Sequence, residues 1–279
     1  MDSNINNFIK RCIVEDIGSG DHTSIACIDK DSIGHANLIT KEDCVIAGIK
    51  LAQKIYNYFD TGINIKTYVE DGEIVKKNTK ILSVFGNKQA ILASERIILN
   101  CMQRMSGIAS NTHLFVQKVQ DLNVHILDTR KTSPSIRFMD KEAVKIGGGT
   151  NHRDGLYDVM MIKDNHIDFC DGIVNAIKKC NEYLLKNSKK LKIIVEVRDF
   201  NELEQVLSYG KIDRILLDNF SISNTKKAVQ LVNGAYPLES SGNINIQNVK
   251  KYALCGVNFI SIGTLTHSVK SIDLSMICR

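Results

Sequence analysis

The chain has 279 residues, 43% hydrophobic and 24% charged, with a net charge of +5. That balance excludes a disordered chain and leaves room for one large α/β domain, or a barrel with a smaller companion. The mild positive charge suits anionic ligands but not nucleic acid. The densest basic stretch, KNSKKLK at 186–192, reads as a solvated loop before a strand.

In chain order, KRCIVEDIGSGDHTS reads as a helix ending in a Gly-rich loop. HANLITKEDCVIAG, NIKTYVEDGEIV and TKILSVFGN read as strands by alternation and β-branched content, with a hairpin turn at Asp71-Gly72. ASERIILNCMQRMSGIASNTHLFVQKVQ has helical spacing at Ile97, Ile98, Cys101, Met102 and Met105, and Gly107 is the expected break. No apolar run approaches the roughly 20 residues of a membrane span, and the N-terminus lacks the apolar core of a signal peptide. The eight cysteines include no CxxC pair. They are expected to be reduced, small hydrophobic residues of a cytoplasmic protein.

From about residue 124 short apolar runs alternate with amphipathic helices. VHIL, YDVMMI, KIIVEV, RILLD, YPLES and NFISIG are the strands, with DKEAVKI, GIVNAIKKC and NELEQVLSYG among the helices. This grammar predicts parallel strands with crossover helices. Glu196, Asp218, Ser240 and Ile262 stand 22 residues apart near strand ends, and Gly210, Gly234 and Gly256 end the intervening helices. Six such strands predict a barrel over an open doubly wound sheet, because no G-x-G-x-x-G follows the first strand.

In a barrel, function collects at the C-terminal strand ends. There the chain places Asp128 to Lys131, Lys163 to His166, Glu196, Asp218, Ser240 to Asn243, and Ser261 to Gly263. Arg130, Lys131, Arg153 and Lys163 form a cationic set suited to carboxylate or phosphate. Arg137, Lys141 and Lys145 fall on a helix and read as mostly surface. Glu196 and Asp218 suit Mg²⁺ or sugar hydroxyls, or else pair with nearby cations. Gly242 and Gly263 allow backbone amides to approach a phosphate. His152 and His166 are candidate proton or hydrogen-bond donors. No Ser or Cys lies in a nucleophile motif, so the expected chemistry is electrostatic and positional.

The run GGGTNHRDGLYDVMMIKDNH puts His152 and Arg153 before a strand and Lys163 at its exit. To gather them, the loop must fold back over the barrel mouth, with the glycines at 147–149 allowing the return.

Taken together, EDIGSGDHTS, SERIILNCMQRMSGIAS, DTRKTSPSIR, GGGTNHRDGLYDVMMIKDNHI, VEVRDFNELEQ, LLDNF, LESSGNI and GVNFISIGTLTHS resemble quinolinate phosphoribosyltransferase. This is the carboxylating nicotinate-nucleotide pyrophosphorylase, a type II phosphoribosyltransferase, and the likeness runs from about residue 14 to the end. It implies an α/β fold: an N-terminal α/β sandwich domain at 1–110, an incomplete TIM-like βα barrel at 111–268, and a segment at 269–279 packing back on the first domain. The implied reaction joins quinolinate and 5-phosphoribosyl-1-pyrophosphate, with Mg²⁺, to give nicotinate mononucleotide, pyrophosphate and CO2 for NAD biosynthesis. The implied assembly is a cytoplasmic homodimer, with higher oligomers open, in which Arg104 reaches the partner's site. Arg130, His152, Arg153 and Lys163 would bind the quinolinate carboxylates. Lys131, Glu196 and Asp218 would be catalytic at the ribosyl pyrophosphate, the two acids holding Mg²⁺ directly or indirectly. Ser241, Gly242, Asn243, Ser261 and Gly263 would hold the 5-phosphate, with Thr129 and Ile262 in the same strand-end sets. One departure is Ser135, where the family usually has Gly, which implies a stiffer or reshaped loop.

Two other readings compete. One is a relative of the same fold that uses nicotinate without decarboxylation, or the molybdenum-transport-associated relative. The other is a non-catalytic sensor that keeps the anion pocket. The full EDIGSGDHTS segment, the SGN loop and the complete set of charged strand ends favour the quinolinate enzyme.

Overall fold

The structure, a computed structural model, describes residues 2–278. In chain order the elements begin with α1 (Asp2–Asp16), α2 (His22–Cys27), β1 (Ile33–Thr40) and β2 (Cys44–Val45). Next come α3 (Ile49–Phe59), β3 (Asn64–Thr67), β4 (Ile74–Val75), β5 (Lys80–Asn87) and α4 (Lys88–Val119). The series continues with β6 (His125–Leu127), α5 (Arg137–Ile146), β7 (Val159–Ile162), α6 (Asp164–Phe169), α7 (Ile173–Lys186) and β8 (Lys192–Val197). It closes with α8 (Phe200–Tyr209), β9 (Arg214–Asp218), α9 (Ile222–Val232), β10 (Leu238–Ser241), α10 (Val249–Ala253), β11 (Phe259–Ser261), α11 (Thr264–His267) and β12 (Leu274–Cys278).

Two compact units result. Among the described residues, the first takes in 2–113, 132–148 and 268–278; the second holds 114–131 and 149–267. Residues 132–148, expected inside the barrel segment, therefore group with the first unit. The reason lies in α5, which buries Met139, Asp140, Ala143 and Val144. The fully buried Asp140 accepts Arg104 Nε and Nη2 at 2.7 and 2.8 Å, and a side chain at Gly147 would strike the Ala109 carbonyl at 2.4 Å. Lys141, read as surface, is only 3% exposed because α5 packs that face inward.

The first unit is built on an antiparallel sheet of order β12-β1-β5-β3. Its alternation is the one in the sequence: β1 buries Ala36, Leu38 and Thr40. Helix α3 buries Ile49, Ala52, Ile55 and Tyr56, one face at helical spacing. The Asp71-Gly72 hairpin does not form, since β3 pairs with β5 and β4 with β2. Asp71 instead caps α3, accepting Ile49 N–H at 2.9 Å. Gly107 does not break α4 either. It leaves space for the Lys270 carbonyl, which a Cβ there would meet at 2.2 Å.

The second unit is an incomplete barrel of six parallel strands, ordered β6-β11-β10-β9-β8-β7. The sheet curls until the last barrel strand, β11, pairs with the first, β6, and stays open between β6 and β7. Asp199 and Ser221 cap α8 and α9 through Glu202 and Asn224 N–H groups, as their side chains predict. All eight cysteines are free, and no helix among the described residues is long and apolar enough to cross a membrane.

Ser135 has φ 66°, the left-handed region that glycine enters without steric cost. That strain is about 1–2 kcal/mol for an L-residue, against about 0.5–1 kcal/mol for the extra freedom of an unfolded glycine. Ser135→Gly is expected to stabilise the chain by up to about 1 kcal/mol in urea unfolding. A lowered midpoint would contradict this.

Candidate active site

Within the second unit, a cavity of about 870 Å³ opens at the C-terminal strand ends. Strand pleating decides who faces it. Along β9 the inward positions are Leu216 and Asp218, and along β10 they are Glu239 and Ser241. Glu196 pairs with Leu216 and Asp218 with Ser241, so the 22-residue spacing is not the register of the barrel. Ser240 accordingly does not line the cavity. It is buried on the other face.

The cations are gathered by a repair at the open edge of β6. Thr150 N–H donates to the Ile126 carbonyl at 2.8 Å, and Asp128 N–H donates to the Thr150 carbonyl at 3.2 Å. Buried Asp128 then accepts His152 N–H at 2.8 Å. The loop thus folds back along β6, and Thr129, Arg130, Lys131, His152, Arg153 and Lys163 all line one cavity. Of the three glycines, Gly147 is a close contact and Gly148 (φ 89°) turns the chain. Arg153 also donates to the Val159 carbonyl at 3.2 Å, and burial, then neighbouring Arg130, push its pKa below the ordinary value.

Lys163 pairs with Glu196 at the exits of β7 and β8. Burial raises the Glu196 pKa, and Lys163 only partly offsets this. Asp218 accepts Asn219 Nδ2 at 2.8 Å. Both acids line the cavity. Among the described residues no group of three or more His, Cys, Asp or Glu could hold a metal ion. Two carboxylates suit a cation that also binds phosphate oxygens, as Mg²⁺ does.

The turn after β10 is tight. Gly242 has φ 94° and Asn243 φ 51°, and a Cβ at Gly242 would meet Asn219 Oδ1 at 2.2 Å. Asn243 Nδ2 donates to that same oxygen at 3.1 Å. After β11, Gly263 lies against Lys131 and His267, whose atoms a Cβ would approach to 3.0 and 3.2 Å. Ile262 lines the cavity, but its N–H is committed to the Leu127 carbonyl at 3.0 Å. Ser261 is buried with its side chain on Glu239.

Seven cavity residues escaped the sequence reading: Met161, Leu216, Asn219, Glu239, Ile244, Thr264 and His267. Glu239 is fully buried, accepts Arg214 Nη1 at 2.9 Å and lies 3.3 Å from His152 Nε2. Burial pulls its pKa up, yet donors from His152, Ser261 and Arg214, with the charge of His152 where that ring is protonated, leave it lowered. Its place inside the apolar run YPLES hid it. His166 is outside the cavity, where its Nδ1 accepts Lys163 N–H at 3.0 Å and caps α6. Arg104 belongs to the first unit and does not line the cavity.

Residues 21–106 match the family model described as quinolinate phosphoribosyl transferase, N-terminal domain, and residues 108–277 match that of its C-terminal domain. The chloroplastic nicotinate-nucleotide pyrophosphorylase (carboxylating) of Arabidopsis thaliana is 42% identical, covering 96% of this chain and 81% of that protein. The probable nicotinate-nucleotide pyrophosphorylase (carboxylating) of Bacillus subtilis is 36% identical, covering 98% and 92%. Among solved structures, NadC from Streptococcus pyogenes superposes with a TM-score of 0.93 at 33% identity, covering 99% of this chain and 96% of that one.

Gly242→Ala adds both a clash with Asn219 and a left-handed alanine. It is expected to cost about 2 kcal/mol or more in urea unfolding and to weaken binding of inorganic phosphate by calorimetry. Unchanged stability together with unchanged phosphate affinity would contradict the role given to this turn.

Proposed function

Since this chain belongs to the quinolinate phosphoribosyltransferase family, we propose that it transfers the phosphoribosyl group of 5-phosphoribosyl-1-pyrophosphate to quinolinate, with decarboxylation. The products are nicotinate mononucleotide, pyrophosphate and CO2, a step of NAD biosynthesis. The observation that carries this reading is a single cavity lined by Arg130, Arg153 and Lys163 together with Glu196, Asp218 and two glycine turns.

Quinolinate is a dianion with adjacent carboxylates, so it needs several fixed cations. Burial, then the neighbouring Arg130, disfavours the charge of Arg153, which a bound carboxylate would offset. Lys163 stands beside them as a point charge. The ring nitrogen attacks the anomeric carbon as its bond to pyrophosphate breaks, through an oxocarbenium-like centre. Glu196 and Asp218 face that centre and the ribose hydroxyls, Lys131 serves the leaving pyrophosphate, and the Ser241-Gly242-Asn243 and Ser261 to Gly263 turns hold the 5-phosphate. The carboxylate beside the ribosylated nitrogen then leaves as CO2. Its electron pair remains on the ring carbon, next to the cationic nitrogen, until a proton from solvent replaces it. No enzyme nucleophile is required. When Mg²⁺ is bound with the pyrophosphate it neutralises leaving-group charge, and Glu196 and Asp218 would hold it directly or through water.

We further assign the chain to the cytoplasm, as a homodimer in which Arg104 serves the partner's cavity. With 5-phosphoribosyl-1-pyrophosphate and Mg²⁺, the purified chain is expected to turn over quinolinate, releasing CO2, and not nicotinate. Use of nicotinate alone would overturn the reading. Mixing Arg104→Ala with Lys163→Ala subunits is expected to restore part of the activity that each lacks alone. No restoration would argue for a site complete within one chain.

A further inference from the structure

We propose that Glu239 is a positioning residue for the reaction above, acting through His152, which serves the site as a neutral imidazole that fixes Arg153. This rests on the proposed function for its kinetic consequences, but its chemistry is read from the geometry alone. Arg153 N–H donates to His152 Nδ1 at 2.7 Å. A backbone amide can only donate, so Nδ1 holds a lone pair and the ring proton sits on Nε2. Nε2 lies 3.3 Å from Glu239 Oε2, with the His152 side chain 6% exposed and that of Glu239 fully buried. Glu239 is matched by Arg214, whose guanidinium also lies over the Phe259 ring at 3.7 Å. Arg214 is always charged, so the pair is electrically complete and asks no second positive charge of His152.

Two hydrogen bonds fix His152, and Glu239 stands 3.3 Å from its Nε2, close but short of hydrogen-bond geometry. Asp128 from the end of β6 takes its N–H, Glu239 from β10 faces its Nε2, and its Nδ1 takes the next residue's amide. The consequence falls on Arg153, whose backbone is fixed by that last bond. An imidazolium here would put a third cation among Arg130 and Arg153, and protonating Nδ1 would break the bond to Arg153.

The direct test is ¹⁵N NMR of the histidine-labelled, ligand-free chain near neutral pH, with His152→Asn identifying the resonance. The expected result is unprotonated Nδ1 and protonated Nε2. An imidazolium, or the Nδ1–H tautomer, overturns the proposal. Kinetically, Glu239→Gln is expected to raise the KM for quinolinate about tenfold while kcat and the KM for the ribosyl pyrophosphate move less than about threefold. Equal losses for both substrates, or an unchanged quinolinate KM, overturn it. His152→Asn, whose amide oxygen can take the Arg153 N–H, is expected to exceed His152→Ala about tenfold in kcat/KM for quinolinate. Equal impairment of the two contradicts the positioning role. Should Glu239→Gln not fold, the wild-type tautomer decides. Should the wild type not turn over quinolinate, the functional reading fails while the tautomer is still read.

Discussion

Strand β6 has a laddered neighbour on one side only, and most of the site follows from how its other edge is satisfied. A parallel strand with an open edge leaves backbone donors and acceptors without partners, which is costly where water is excluded. Residues 150–153 fill that edge, first through the backbone of Thr150 and then through Asp128. The loop before β7 is thereby laid along β6 rather than released into solvent. Arg153 enters the cavity that also receives Lys163 from the far end of β7. The cationic set is divided in sequence because one strand separates two contributions to the same mouth.

The charges in that mouth are arranged for a ligand rather than for the empty protein. Arg130 and Arg153 oppose each other, Lys163 is engaged by Glu196, and Glu196 itself is held above its ordinary pKa by burial. Below this layer, Glu239 and Arg214 neutralise each other and contribute shape more than field. The site thus separates a responsive upper layer from a rigid, charge-balanced lower one.

Much of this was legible in the sequence, because parallel barrels put chemistry at strand exits and those exits can be counted. Arg130, Lys131, Lys163, Glu196, Asp218 and Gly242 all line the cavity for that reason. What escaped depends on parity and on distant partners. Ser240 and Ser241 are adjacent, and only pairing with Asp218 reveals which one faces inward. Glu239 sits in an apolar strand run, and its role needs Arg214, Ser261 and His152 from elsewhere in the chain. Asp71-Gly72 carries a hairpin signal, but the carboxylate is used on α3 and the flanking strands find other neighbours. Gly107 looks like a break and Gly147 like part of a flexible return, and each is instead a site of close backbone approach that only the folded chain discloses. The assignment of 132–148 to the first unit likewise depends on Asp140 meeting Arg104, a pairing that no local pattern announces.

The central claim is that the fold-back of residues 150–153 is built before any substrate arrives. Amide hydrogen exchange on the ligand-free chain measures this directly. The account predicts that the amides of Thr150, His152 and Arg153, each with a protein acceptor, exchange as slowly as those of the barrel strands. Exchange as fast as that of an open surface loop, slowing only when quinolinate is added, would contradict it.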